Sequence, residues 1–239
     1  MLNKNFKALI YSFILFSTFI QVAPLFALPP VCEEIQVDRR RIWCKSNYDV
    51  AGMNENFTTL QQRGYTPKKA LGVLGELYAR KTIEENTKYI SIITLFKKMG
   101  CHVENDIRDG ADRGVDDIFV VPTIDGRINQ NFNPIFHEAK FNGNCQLKLA
   151  KTKTICQQLS MQWLNYHIQG TQQRVIGGAS LCFDNKNEVI IKSCATCKST
   201  FLDDMNWIFD MLNEHRFYRT ASVLCSDGQL NVYNVISKE

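Results

Sequence analysis

Apolar residues at Leu71, Leu74, Leu77 and Tyr78 recur at helical spacing. Thr66-Pro67 opens that pattern, with Thr66 a suitable N-cap and Pro67 suited to the first helical position, where a missing N–H costs nothing. The pattern extends, with a break, towards Lys98, and Gly100 fits the stop. Shorter apolar runs then predict three strands, Cys101–Asp106, Asp117–Val121 and Pro134–Phe141. Arg108–Gly114 separates the first two as a polar turn, and a Thr123–Pro134 loop carrying Asp125-Gly126 separates the last two. Residues 142–154 are polar and basic. Helical spacing returns over Ile155–Ile168, with Leu159, Trp163 and Tyr166 on one stripe. A strand over Glu188–Ser193, a helix over Phe201–Phe217 and a hairpin around Asp227-Gly228 complete the chain. This order predicts an α/β fold, a mixed sheet flanked by helices on both faces.

Two N-terminal segments stand outside that pattern. Lys4 and Lys7 precede an almost wholly apolar run, Ala8–Val22, and small residues follow as far as Ala27. This three-part pattern is that of a secretory signal peptide over residues 1–27, cleaved after Ala27. The run is short for a membrane span, and Pro24, Pro29 and Pro30 follow it closely. Residues 28–65 are polar and read as an irregular arm anchored by Trp43. Residues 66–239 are then one domain, large enough to bury a core.

Charge adds little. Without Lys4 and Lys7, the 28 basic and 24 acidic residues leave a net charge of about +2, so nucleic-acid binding needs a local basic face. Lys148, Lys151 and Lys153 offer one candidate and Arg39–Arg41 another, the arginine run being equally well explained as a solvated face. Nine cysteines make disulfides the expected state of an exported chain, and the odd count leaves at least one without an intramolecular partner. Cys194 and Cys197 form a single CxxC without a matching second pair, which argues against zinc. A redox role for that pair calls for a strand and then a helix carrying the motif near its start. The four histidines, His102, His137, His167 and His215, form no HxH or HExxH motif. No glycine-rich phosphate loop and no G-x-S-x-G turn occurs.

The chemistry concentrates in Ile135-Phe136-His137-Glu138-Ala139-Lys140-Phe141. Strand residues two apart share a face, so Glu138 and Lys140 lie side by side, with His137 and Ala139 opposite. Charges ending an apolar strand are costly unless paired or bound. A divalent cation would satisfy the carboxylate. Just upstream, Gly114-Val115-Asp116-Asp117 offers a second acid, and only one of Asp116 and Asp117 can join Glu138 on its face. Asp116 with Glu138 meets the needs of magnesium, which takes one or two carboxylates plus water and phosphate oxygens. Lys140 can orient the attacking water, stabilise charge on a phosphate, or act as a neutral base.

These motifs resemble the PD-(D/E)XK, or restriction-endonuclease-like, nuclease superfamily, particularly its toxin-like branch. Asp116 after a glycine, then Glu138-Ala139-Lys140, follows the superfamily's signature. Gly75-Glu76 stands where many members carry a glutamate on the preceding helix. Lys151-Thr152-Lys153-Thr154 and then Gln158-Leu159-Ser160-Met161-Gln162-Trp163 match the lysine-rich turn and helix opening of toxin-like members. The resemblance spans residues 66–193 and implies an αβββαβ core. It departs at Val115, where the pattern has proline, and Asp117 allows the ligand to shift by one position.

The resemblance further implies that Asp116, Glu138 and the Ala139 carbonyl bind Mg2+, with Mn2+ as an alternative. Lys140 becomes the catalytic lysine, Glu76 reaches the metal or its water, and Gln158 sits at the rim. The expected protein is an exported magnesium-dependent endonuclease acting on nucleic acid, DNA first, as a toxin or effector. An inhibitor or immunity protein is its expected partner in the producing cell, with no stable membrane association after signal cleavage. The alternatives are a secreted non-catalytic binding protein on the same fold and a disulfide-rich thiol protein using Cys194 and Cys197.

Overall fold

The computed structural model describes residues 32–45, 48–99, 115–151, 156–176, 182–183, 189–190 and 195–238. The expected signal peptide, the strand over Cys101–Asp106, the turn over Arg108–Gly114, Gly100 and Lys153 lie outside them. The chain order is β1 (Ile35–Lys45), α1 (Val50–Gln62), α2 (Pro67–Asn86), β2 (Ile90–Ser91), α3 (Ile92–Lys98), β3 (Asp117–Val120) and β4 (Ile135–Phe141). There follow α4 (Met161–Ile176), β5 (Cys182–Phe183), β6 (Val189–Ile190), α5 (Ala195–Asn213), β7 (Tyr218–Leu224) and β8 (Leu230–Ser237). Six strands make one mixed sheet in the order β1-β8-β7-β4-β3-β2, while β5 and β6 pair separately. Only the β4–β7 pairing in the large sheet is parallel. No helix among the described residues is long and apolar enough to cross a membrane.

The sheet is flanked by helices on both faces. Phe136, Ile118 and Val120 pack in one cluster with Trp163 and Leu164 of α4 and Ile208 and Leu212 of α5. Ala139, on the other face of β4, packs with Val73 and Leu74 of α2 and Met53 and Leu60 of α1. Period-2 alternation along β4 thus sends its even-numbered residues towards α4 and α5 and its odd-numbered residues towards α2.

Helix α2 begins as its sequence predicts. The Thr66 side chain accepts from the Lys69 N–H, and Pro67 takes the first position. The helix ends at Asn86 instead of running on, because Ile90–Ser91 pairs with Phe119–Val120 as a short strand. Ser91 then caps α3 by accepting from the Ile93 N–H. The Asp227-Gly228 hairpin also forms. Gly228 sits at φ +81°, and a side chain there would meet the Tyr48 carbonyl at 2.3 Å.

Three expectations are corrected. Residues 28–65 contain β1 and α1 rather than only an irregular arm. Asp38–Arg41 masks the alternation of β1, an edge strand whose pairing with β8 is irregular on both sides of Arg41. Arg40 pairs with Asp38 and Arg41 with Asn231, so the arginine run forms a charged sheet edge. Helix α4 starts at Met161, not Ile155. Leu159 precedes it at φ +67°, and Tyr166 is 59% exposed, so the predicted stripe does not form, although Trp163 is core. Finally, the strand expected over Glu188–Ser193 is described only at Val189–Ile190, which pairs with β5 as a two-residue strand.

His137 occupies the core, 1% exposed. Its Nδ1 lies 2.8 Å from Thr220 Oγ1 and its Nε2 2.9 Å from Ser222 Oγ. Burial lowers its pKa to about 4, against a partial upward pull from Asp117. The unfolded chain therefore binds a proton below about pH 6.5 that the native state refuses until about pH 4. Stability falls as pH drops through that window, on the order of 3 kcal/mol from this group. An NMR titration should place the imidazole midpoint near 4; a midpoint above 6 would refute the assignment.

Candidate functional site

Glu138 is the central residue of β4 and is 1% exposed. Lys140, two residues on and on the same face, donates from Nζ to Glu138 Oε1. Gln158 Nε2 donates to the same oxygen at 2.6 Å. The orientation of that amide is fixed, because Gln158 Oε1 accepts from the Ala150 N–H at 2.9 Å. The second carboxylate oxygen, Oε2, is buried and has no hydrogen-bond partner among the described residues. One oxygen thus takes two donors and the other takes none.

The adjacent acids have distinct roles. Asp117 turns towards α2, where Arg80 Nε donates to Oδ2 at 2.6 Å and Ser91 Oγ to Oδ1 at 2.7 Å. Asp116 instead accepts the Ala139 N–H at 2.7 Å through Oδ2. Opposite Ala139 the regular pairing of β3, which starts at Asp117, has run out, so the Asp116 side chain replaces the ladder. A strand residue's N–H and C=O point to one edge, so the Ala139 carbonyl also faces the side where Asp116 sits.

Glu76 is brought near by a close helix–strand approach. A Cβ on Gly75 would meet the Lys140 carbonyl carbon and oxygen at 3.1 Å and the Phe141 nitrogen at 3.3 Å. Glycine at this position lets α2 rest on the β4 backbone. Glu76 then contributes to the field on both Glu138 and Lys140.

Desolvation, followed by the repulsion of Asp116, raises the Glu138 pKa well above the ordinary value, against the pull of Lys140. Burial alone would lower the Lys140 pKa, but Glu138, Asp116 and Glu76 outweigh it and raise it. The geometry places Lys140 and Gln158 on Glu138 and Asp116 on the Ala139 N–H, while Glu76 acts on Glu138 and Lys140 only through its charge.

The donor set fits a hard cation on one observation above all, the orphaned buried Glu138 Oε2 beside a second carboxylate. Glu76, Asp116 and Glu138 do not bring three ligand oxygens within 4.8 Å of one another. An ion here would use fewer carboxylates, completed by carbonyl, water or substrate oxygens. The one group of three potential ligands that close among the described residues is Cys145, Cys225 and Asp227, and its two sulfurs are joined as a disulfide. A second disulfide joins Cys32 to Cys156.

Sequence reasoning missed Arg80 and Ser91, which hold Asp117 away from the site. It also missed Glu33, whose contacts are with Met161, Arg219 and Ser237. Their partners are 26 to 204 positions away in the chain, so no local pattern announces them. Comparison of the chain with protein-family models, curated proteins and solved structures gave no match.

Proposed function

We propose that this chain is an exported, magnesium-dependent endonuclease of the restriction-endonuclease-like kind, acting on DNA as a toxin or effector. The observation that carries the reading is the buried, partnerless Glu138 Oε2 among Asp116, Lys140 and Gln158. A structural ion pair would gain nothing from keeping one carboxylate oxygen dry and unbonded. The mixed sheet flanked by helices is compatible with an α/β nuclease fold of this kind, and manganese is expected to replace magnesium.

Asp116, Glu138 and the Ala139 carbonyl would hold the ion. When bound, it would polarise the scissile phosphate and lower the pKa of a water. The Lys140 ammonium, hydrogen-bonded to Glu138, would then stabilise charge developing on the phosphate. Gln158 keeps Glu138 Oε1 occupied, leaving Oε2 for the cation. Lys148 and Lys151 lie on the segment that pairs with the Gln158 turn, through Lys151 with Gln157 and Ala150 with Gln158. They would contact phosphates flanking the scissile one.

The exported chain should nick supercoiled plasmid in magnesium and stop when the ion is chelated. Intact plasmid with a well-folded protein would favour the non-catalytic binding protein. A K148A/K151A double variant should weaken DNA binding and flatten the log affinity–log salt slope by about 2, near 0.9 per phosphate contact. An unchanged slope would place the DNA elsewhere.

The thiol reading has one observation in its favour. Helix α5 begins at Ala195, after β6, and so carries Cys197 in its first turn, while Cys194 lies outside the described residues. Full nicking by a Cys197→Ser variant would remove that reading from the nuclease chemistry.

A further inference from the structure

Gln158 does not hold itself in place. It lies before α4, in a turn whose flanking residues Cys156 and Leu159 both have left-handed backbones, at φ +62° and +67°. Residues with side chains adopt that conformation at a cost and keep it only where their surroundings impose it.

The surroundings here come from the start of the described chain. Cys156 is bonded to Cys32. The next residue, Glu33, grips the other side of the turn. Its backbone N–H donates to Gln162 Oε1 at 3.1 Å, and its Oε2 accepts the Met161 N–H at 2.7 Å, capping α4. Its Oε1 is fixed to the sheet by both Arg219 Nη atoms at 2.9 Å and by Ser237 Oγ at 2.6 Å. Gln158 is therefore suspended between a disulfide two residues before it and a capped helix start three residues after it.

We infer that the Cys32–Cys156 disulfide and Glu33 are positioning elements that hold Gln158 against Glu138, so that the site is complete only in the oxidised chain. This rests on the reading of Glu138 as the cation-binding carboxylate. Cys32 is exposed, so a reductant reaches the bond from the Cys32 side. A dithiol reductant delivers two electrons and two protons, leaving Cys32 and Cys156 as thiols and itself as a disulfide. The Gln158 turn then loses its covalent tie to Cys32 and is left with the hydrogen bonds of Glu33. Such a chain is weakly competent in a reducing compartment and becomes fully competent after export.

The test uses the full exported chain, oxidised, beside C32S/C156S, Glu33→Ala and Gln158→Ala variants. The primary readout is the Gln158 side-chain amide in a 15N NMR spectrum, assigned by its loss in Gln158→Ala. Mn2+ affinity by calorimetry and plasmid nicking follow, with circular dichroism as the check on folding. In C32S/C156S the amide resonance should move to the position of a solvent-exposed glutamine while the sheet persists. Nicking should fall about tenfold, and no further when Gln158→Ala is added, because both changes remove one interaction.

An unmoved Gln158 resonance in C32S/C156S, or losses that add fully with Gln158→Ala, would overturn the inference. If C32S/C156S does not fold, Glu33→Ala and reduction of the folded native chain by a dithiol carry the same readout. If the native chain never nicks plasmid yet the Gln158 amide still follows the disulfide, the positioning role stands and the nuclease reading fails.

Discussion

A Glu138→Gln variant should be more stable than the native chain at pH 8 without divalent ions, by about 1 to 3 kcal/mol, while losing magnesium-dependent cleavage. Most substitutions of a fully buried residue destabilise, so the sign is diagnostic. Glu138 is a desolvated carboxylate with one oxygen unbonded, and Asp116 repels it. Glutamine keeps an oxygen for Lys140 and Gln158 and removes the buried charge, while Asp116 and Glu76 remain to compensate the Lys140 ammonium. The pH dependence follows from the raised pKa. The native state retains a proton that the unfolded chain has released, so stability declines as pH rises above about 4.5 towards the folded value. The advantage of glutamine should therefore vanish near pH 4.5 and grow upward. Magnesium should stabilise the native chain, in proportion to ln(1 + [ion]/Kd), and leave the variant unmoved. Cleavage should fall by about a thousandfold or more. Urea unfolding at pH 5 and 8, with magnesium or chelator, measures all of this. A Glu138→Gln protein that is less stable in chelator at pH 8 would return Glu138 to a structural role.

The second large effect separates two neighbouring aspartates. Asp117→Ala should cost about 3 to 5 kcal/mol, because it removes the carboxylate that accepts from the buried Arg80 guanidinium. The Ser91 hydroxyl loses its acceptor in the same change. Asp116→Ala should cost about 1 kcal/mol, the loss of an acceptor for the Ala139 N–H. Yet Asp116→Ala should abolish Mn2+ binding in calorimetry, and Asp117→Ala, where it remains folded, should bind. Equal stability losses, or Mn2+ binding that survives Asp116→Ala, would mean that the ligand had been assigned to the wrong acid.

Much of the site could be read in the chain. Period-2 alternation put Glu138 beside Lys140 and Ala139 opposite them, and the structure keeps that arrangement. The Thr66-Pro67 start of α2 fixes the phase of that helix, and Gly75-Glu76 falls where α2 meets β4. Gln158 was legible as a site residue only through the resemblance. Its hydrogen bond to Glu138 comes from a turn, not from the helix its spacing suggested.

By itself, the sequence determined what local sterics and periodicity control: the α2 start, β3 and β4, the β7–β8 hairpin, and which β4 side chains share a face. Tertiary structure alone decided which aspartate joins Glu138, because Arg80 and Ser91 claim the other from across the fold. It also decided that β1 closes one edge, that β4 runs parallel to β7, and that Cys32 finds Cys156. Those outcomes depend on which groups meet after the chain has folded back on itself. A residue's neighbours in sequence carry no record of partners that lie dozens of positions away.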